Sequence, residues 1–394
     1  MPPRVLLGIT GGIAAYKSAS LASSLTKCGY DVRTVMTEAA CEFITPTTLK
    51  SLTGNPVKKN IFSPPADSTI NHIELAEGID IGIVAPASAD FLARLAAGQG
   101  DDLLSTTMLA LNSPVILAPT MNVNMYEKDV VQDNIDILAD RGYQIAVPET
   151  GRLACGTEGK GRMPEPEDLV RSIKKELVPG DLAGYKFLIT AGPTREPLDE
   201  VRFLSNHSSG RMGYKAAERA IYRGAEVTLV SGPTDLEAPA GCSNYSVEKA
   251  EEMHEICSQV FPDMDAAILA AAVSDFKPAN FISGKIKKND RPGLELSLEP
   301  NPDILNSLRE MKKPGQKIIG FAAEAENILV RGRDKYEKKA PDMLFVNDIS
   351  AKNTGFKSEN NEGYLIGQNF EEKITERSKA MIADILLDRI KELF

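Results

Sequence analysis

Residues 153–165, LACGTEGKGRMPE, place Cys155 among glycines and charges, where a structural thiol would find few apolar side chains to bury against. A thiol in such a loop can donate a proton or attack a substrate; the alternative is an inert, exposed thiol. His72, in STINHIELAE, is one of 3 histidines. Its ring titrates near neutrality and suits proton handling, and a structural or exposed histidine is the competing reading. TGGIAAYK follows the first apolar run, and Gly11 and Gly12 would let backbone approach a phosphate at a helix N-terminus. The segment is neither GxGxxG nor a Walker A loop, so a plain tight turn is the other reading. Ser88 in APASAD and Asn122 in APTMNVNMY stand where apolar runs end. Each could meet a ligand or simply cap the next helix.

The elements that must position these residues follow from periodicity. RVLLGIT reads as a buried strand, the segment from Gly11 as a turn and helix with Ala14, Ser18, Leu21 and Leu25 on one face, and DVRTVMT as a second strand. DIGIVAPAS and SPVILAPTMN are further strands, with a helical stretch expected from about Asp90 to Leu111 between them. The same opening recurs later: KFLITAGPT is a strand, SSGRMGYKAAERAIYRG enters a helix through glycines, and AEVTLVSGP is the next strand. DAAILAAAVSDF and DMLFVND continue the pattern, and EEKITERSKAMIADILLDRIKEL reads as a terminal amphipathic helix. Alternation of strand and helix implies the α/β class, two doubly wound Rossmann-like domains on parallel sheets. The polar linker VPGDLAGY puts the expected boundary at 182, giving domains 1–182 and 183–394.

Composition narrows the partners. A formal net charge of -10 over 394 residues argues against a nucleic-acid or anionic-membrane surface. The 5 cysteines are scattered with no CxxC pair, which suits a reducing cytoplasm. No apolar stretch reaches the ~18 to 20 residues needed to span a bilayer, and the run near the N-terminus is too short for a signal peptide.

Taken in order, ITGGIAAYK, NHIELA, PTMNVNMY and ACGTEGKGRM, then GPTREPLDEVRFLSNHSSGRMG, AAVSDF, KIKK, NPDIL and GFAAE, resemble a known family nearly end to end. That family is the bifunctional coenzyme A biosynthesis proteins, a phosphopantothenoylcysteine decarboxylase fused to a phosphopantothenate–cysteine ligase. The first half resembles flavin-containing cysteine decarboxylases, of flavodoxin-like fold. The resemblance implies that Gly11, Gly12, Ile13, Ala14, Thr37, Ser88, Ala89 and Asp90 hold FMN, whose single phosphate needs no dinucleotide fingerprint. Losing CO2 directly from an N-acylcysteine would leave an unstabilised carbanion. Oxidising the thiol-bearing carbon to a thioaldehyde first gives the electrons somewhere to go. By the resemblance FMN is the oxidant, His72 assists proton or hydride removal, Asn122 grips the substrate carboxylate, and Cys155 on a mobile glycine loop donates the final proton.

The second half, by the same resemblance, joins cysteine to 4'-phosphopantothenate through an acyl-cytidylate made from CTP. Asn206 matches a residue that forms or uses this intermediate, and Lys285 of KIKK one that serves the phosphates. Ala271, Asp275, Asn301, Pro302, Asp303, Ile304, Phe321, Lys335 and Lys339 fall on nucleotide contacts, with the two lysines at i and i+4 on one helix face. Read without the family, those lysines are ordinary solvated side chains. Triphosphate chemistry implies Mg2+ or Mn2+, and no residue identifies its ligands. The family also implies a homo-oligomer, trimer-based in the first half and paired in the second. Two rival readings are a non-catalytic flavin-binding regulatory protein of the same fold and a dehydrogenase with two Rossmann halves. The second lacks a pyrophosphate fingerprint.

Overall fold

The computed structural model describes residues 2–61, 71–152, 158–287, 294–350 and 358–394. The chain divides into two compact units, Met1–Pro179 and Gly180–Phe394.

In the first unit six parallel strands lie in the order Val57–Lys58, Asp31–Met36, Arg4–Ile9, Ile81–Ala87, Val115–Pro119, Gln144–Ile145. The apolar run of the central strand is continuous because both of its faces are covered. Val5, Leu7 and Ile9 pack with Leu21, Leu25, Leu169 and Ile173 on one side, and Leu6 packs with Phe91, Leu95, Leu104 and Leu138 on the other. Each such fully buried side chain contributes about 1.5 to 3 kcal/mol. The strand order reverses between Arg4–Ile9 and Ile81–Ala87, and crevices at such reversals, outside the strands' carboxyl ends, are where this architecture binds ligands.

The helical stretch expected from Asp90 to Leu111 is two helices, Ala89–Ala96 and Leu103–Ala110. Gly98, at φ +71°, ends the first, and Asp102 starts the second with a capping box to Ser105.

The second unit repeats the plan and extends it. Its sheet runs Ser243–Ser246, Glu226–Ser231, Lys186–Ala191, Ala266–Leu269, Lys317–Glu324, Met343–Asp348, Asn360–Gly367, Phe370–Ser378. Phe187 and Ile189 face the helices Arg211–Tyr222 and Lys379–Leu393, while Leu188 faces Ala250–Val260 and Ile304–Met311. The last two strands are antiparallel to their neighbours. The expected terminal helix is therefore corrected: Phe370–Ser378 is strand, and the helix occupies only Lys379–Leu393. Glu and Lys in EEKITERS favour helix locally, but pairing with Asn360–Gly367 and burial of Ile374 override that preference. Ser378 marks the true start, its side chain accepting from the Met381 amide.

Leu182 is buried in the second unit's core, and Asp181 pairs there with Arg223 and Lys391.

Candidate functional site

Among the described residues, a crevice lies at each sheet reversal. In the first unit, Thr10 ends the central strand, and its N–H and hydroxyl donate to Pro86 O at 3.3 and 2.8 Å. The same hydroxyl accepts from the Ser88 amide at 2.9 Å, so the loops after the two central strands are tied together. Gly11 is required by crowding: a Cβ there would lie 2.6 Å from Ala39 Cβ. Thr37 accepts from Ala40 N and Ser88 from Phe91 N, so each caps the next helix while its loop walls the crevice. The cavity holds about 730 Å³ and is lined by Thr10, Gly11, Thr37, Ser88, Asp90, Lys59 and Arg94 among others.

Four of the eight expected cofactor residues, Gly11, Thr37, Ser88 and Asp90, line this cavity, and Gly12, Ile13, Ala14 and Ala89 do not. Ala14 turns into the core and Ile13 is exposed. Arg94 is a residue the sequence reading passed over. It bonds Asp90, Asp101 and Asp102 at 2.5, 2.9 and 2.8 Å and so fixes the acidic edge of the crevice. Lys17, within the quoted GGIAAYK, is buried and donates to Met163 O and Glu165 Oε1, both at 2.9 Å. It anchors a helix to the following segment and does not line the crevice.

His72 opens the helix Asn71–Ala76, half-buried, with Nδ1 buried and unpartnered among the described residues. Asn122 Oδ1 accepts from the Asn124 amide at 2.9 Å, the capping geometry that spacing had suggested. Neither lines the cavity. Cys155 lies outside the described residues. The strands that flank it, Glu149–Arg152 and Glu158–Arg162, form an antiparallel pair. At their root, Gly159 and Gly161 serve close contact with the neighbouring loop. Gly161 has φ +138°, and a Cβ there would lie 2.3 Å from Met121 O; a Cβ on Gly159 would lie 2.5 Å from Val123 Cγ2. Met121 N also donates to Gly161 O at 3.0 Å, so the hairpin root is locked to the loop that carries Asn122.

In the second unit the helix Arg211–Tyr222 starts at Gly210, φ +74°, with no side-chain cap and no acid in its first turn. Its leading amides face a site where anions are favoured. A cavity of about 500 Å³ there is lined by Asn206, Arg211, Ala271, Phe321, Lys335 and Lys379 among others. Asn206 Nδ2 donates to Val273 O at 2.9 Å and to Ala272 O at 3.4 Å. Asn347 and Asn361 also line it, each with an amide oxygen buried and unpartnered among the described residues.

Of the expected nucleotide residues, Ala271, Phe321 and Lys335 line this cavity; Asp275, Lys285, Asn301, Pro302, Asp303, Ile304 and Lys339 do not. Asn301 nonetheless ties its loop to the neighbouring one, donating from N to Asp275 O and from Nδ2 to Ser274 O, both at 2.9 Å. Asp303 caps Ile304–Met311. The two helix-face lysines are not solvated singly: Lys335 pairs with the buried Glu324 at 2.6 Å and Lys339 with Asp303. Lys285 is exposed.

Sequence reading missed Arg211 and Lys379 as cavity cations. Lys379 is buried, and burial followed by the Arg211 charge pushes its ammonium pKa down. Its place depends on the antiparallel strands that precede it, which local pattern did not reveal. Among the described residues no three metal-ligating side chains gather. None of the described helices is long and apolar enough to cross a membrane.

Comparison with known proteins covers both units. The Flavoprotein family model matches residues 1–178, and that of the DNA/pantothenate metabolism flavoprotein C-terminal domain matches residues 182–394. The coenzyme A biosynthesis bifunctional protein CoaBC of Vibrio vulnificus is 43% identical over 391 residues, 99% of this chain and 98% of the relative. The Escherichia coli protein of the same name is 42% identical over 390 residues, 98% and 96% of the two chains. Among solved structures, the C-terminal domain of a CoaBC protein is 36% identical, covering 54% of this chain and 97% of that one at a TM-score of 0.47.

Proposed function

The chain belongs to the family of bifunctional coenzyme A biosynthesis proteins, and from that premise we propose how its two units divide the work. It is an enzyme with two activities, phosphopantothenate–cysteine ligase and phosphopantothenoylcysteine decarboxylase. We assign the decarboxylase, with FMN, to residues 1–182 and the CTP-dependent ligase to 183–394. The observation that carries this reading is full-length identity to two-activity relatives across both halves. The same match disfavours a non-catalytic flavin-binding regulator.

FMN suits the first crevice: Gly11 lines it, and the Thr37 and Ser88 loops flank a space of about 730 Å³. When bound, it supplies two-electron redox chemistry at the thiol-bearing carbon of the substrate, so that the carboxylate can leave. The chain does the rest. His72, with Nδ1 unpartnered among the described residues, moves a proton during oxidation. Asn122, its amide plane set by the cap to Asn124, holds the substrate carboxylate. Cys155 protonates the decarboxylated product.

In the second unit CTP and 4'-phosphopantothenate meet at the cavity bordered by Arg211, Lys335 and Lys379. Carboxylate and triphosphate repel, and these cations with the leading amides of Arg211–Tyr222 offset that repulsion. Asn206 and Lys285 stabilise formation of the acyl-cytidylate, and the amine of cysteine then displaces CMP. Mg2+ or Mn2+ would be carried by the triphosphate oxygens and would offset their charge; among the described residues no three metal-ligating side chains gather. A cytoplasmic setting suits the cysteines, since Cys28, Cys41, Cys242 and Cys257 are all unpaired. Ile13 and Tyr16 in the first unit and Phe203, Phe276 and Phe281 in the second are exposed apolar side chains. Such side chains are compatible with a homo-oligomer, and the resemblance to the family is what supplies a trimer-based first unit and a paired second unit.

The test is direct. Purified protein should be yellow, and with 4'-phosphopantothenate, cysteine and CTP it should yield phosphopantetheine, CMP, pyrophosphate and CO2. A colourless protein that cannot take up FMN would refute the first assignment, and absence of CMP release the second.

A further inference from the structure

We propose that Asp199 is a positioning residue of the ligase, holding in place the segment that presents Lys285. The proposal rests on the reading of Lys285 as a residue that serves the nucleotide phosphates. Residues 283–287 belong to no helix or strand, and Gly284 sits at φ +80°, so local structure does not fix Lys285. Tertiary contacts to the turn 198–202 do. The Asp199 side chain is wholly buried, and its two oxygens divide the work. Oδ1 accepts from the amides of Val201 and Arg202, at 2.8 and 2.7 Å, and holds its own turn. Oδ2 accepts from Arg202 Nη1 at 2.8 Å and from the amide of Ile286 at 2.9 Å.

Arg202 Nη1 also donates to Ile286 O at 3.0 Å, so both backbone polar groups of the residue next to Lys285 are gripped. The Ile282 amide donates to Leu198 O at 3.0 Å on the other side of Lys285. Four donors on a buried carboxylate keep it ionised, and a charged acceptor makes a stronger bond to Ile286 than a neutral one would. Lys285 itself stays exposed, held by its backbone and free to meet an anion.

The division of oxygens gives a selective test. Asp199→Asn can keep the acceptor at Oδ1 and sets an NH2 against the Ile286 amide and Arg202, so it releases the Lys285 segment while sparing the turn. Steady-state ligase kinetics on the full chain should show the KM for CTP rising at least ~10-fold while that for cysteine stays within about twofold. In the Lys285→Gln background the same change should cost no more than about twofold further, because its only route to the reaction is gone. A purely structural role predicts the opposite pattern: less active enzyme, unchanged KM for CTP, and the same loss in both backgrounds. Either of the last two results overturns the proposal. Should Asp199→Asn not fold, Asp199→Ser, whose hydroxyl can still accept from the turn amides but is too short to reach the Ile286 amide as well, carries the same expectations. If Lys285→Gln alone leaves ligation intact, the reading of Lys285 fails and takes the proposal with it; a costly Lys285→Gln beside a silent Asp199→Asn sinks the positioning role alone.

Discussion

Asn206 is held at the junction of two loops by donation from Nδ2 to the carbonyls of Val273 and Ala272. Asn206→Asp replaces that donor with a charged acceptor facing carbonyl oxygens. Ligase turnover should fall by about 100-fold or more, the scale of losing a donor to a developing charge, while decarboxylation of supplied phosphopantothenoylcysteine continues. CMP release and CO2 release, followed separately, check this. Cys155 tests the other half. Cys155→Ser should release CO2 and accumulate the oxidised enethiol product, seen by mass spectrometry; a normal yield of phosphopantetheine would remove Cys155 from the role of proton donor. Neither role follows from residue type alone. A thiol among glycines was conspicuous, but Asn206 has nothing local to distinguish it from any loop asparagine, and the resemblance to a family supplied its role.

At the scale of elements, the hairpin pair Glu149–Arg152 and Glu158–Arg162 is set by its root. Gly161→Ala combines a backbone angle unfavourable to any Cβ with a clash against Met121 O. The hairpin should shift relative to the Asn122 loop, and misplacement of about 1 Å can cost up to 100-fold in rate. Flavin content should be retained, because the crevice is built on the loops after Arg4–Ile9, Asp31–Met36 and Ile81–Ala87. Absorbance of the purified variant and its decarboxylation rate give both values, and a wild-type rate would show that the contact tolerates a methyl group. Helices and parallel strands were legible from periodicity. The antiparallel pair Asn360–Gly367 and Phe370–Ser378 was not, because the charged strand carries one buried residue, Ile374, whose partners lie across the sheet.

On the scale of the whole molecule, each unit has its own cores on both faces of its own sheet. A chain cut between Pro179 and Gly180 should give two fragments that each fold, and the fragment 180–394 should form acyl-cytidylate and release CMP in the presence of cysteine. Circular dichroism and nucleotide chromatography check the two claims. The second unit should also be the acid-labile one in one identifiable respect. Arg223, almost fully buried, donates to Asp181 at 2.8 Å through two nitrogens and holds its carboxyl well below the usual carboxylate range. The Ile286 amide, with the donors of residues 201 and 202, lowers Asp199 to about 2. Both pKa values are depressed by folding, so their stabilisation is full above the unfolded value near pH 4 and is lost as pH falls through the folded values. Denaturant unfolding of Asp181→Asn should therefore show a deficit at pH 7 that narrows toward pH 2. A deficit that stayed constant with pH would remove the ion pair from the explanation.

The amino-acid sequence by itself determined the α/β class, the repeated strand–turn–helix opening and the family, because continuous apolar runs, glycine turns and ordered motifs are local features of the chain. It also determined which loops would end strands in the crevices. Only the tertiary structure decided that Lys379 borders the second cavity, that Lys335 and Lys339 meet Glu324 and Asp303, and that Asp199 reaches Ile286. Apart from Lys335 and Glu324, which are 11 positions apart, each joins residues tens of positions apart along the chain or depends on a strand whose pairing partner overrides its own propensity. Such contacts are fixed by burial and hydrogen-bond satisfaction across the sheet, quantities that no window of sequence contains.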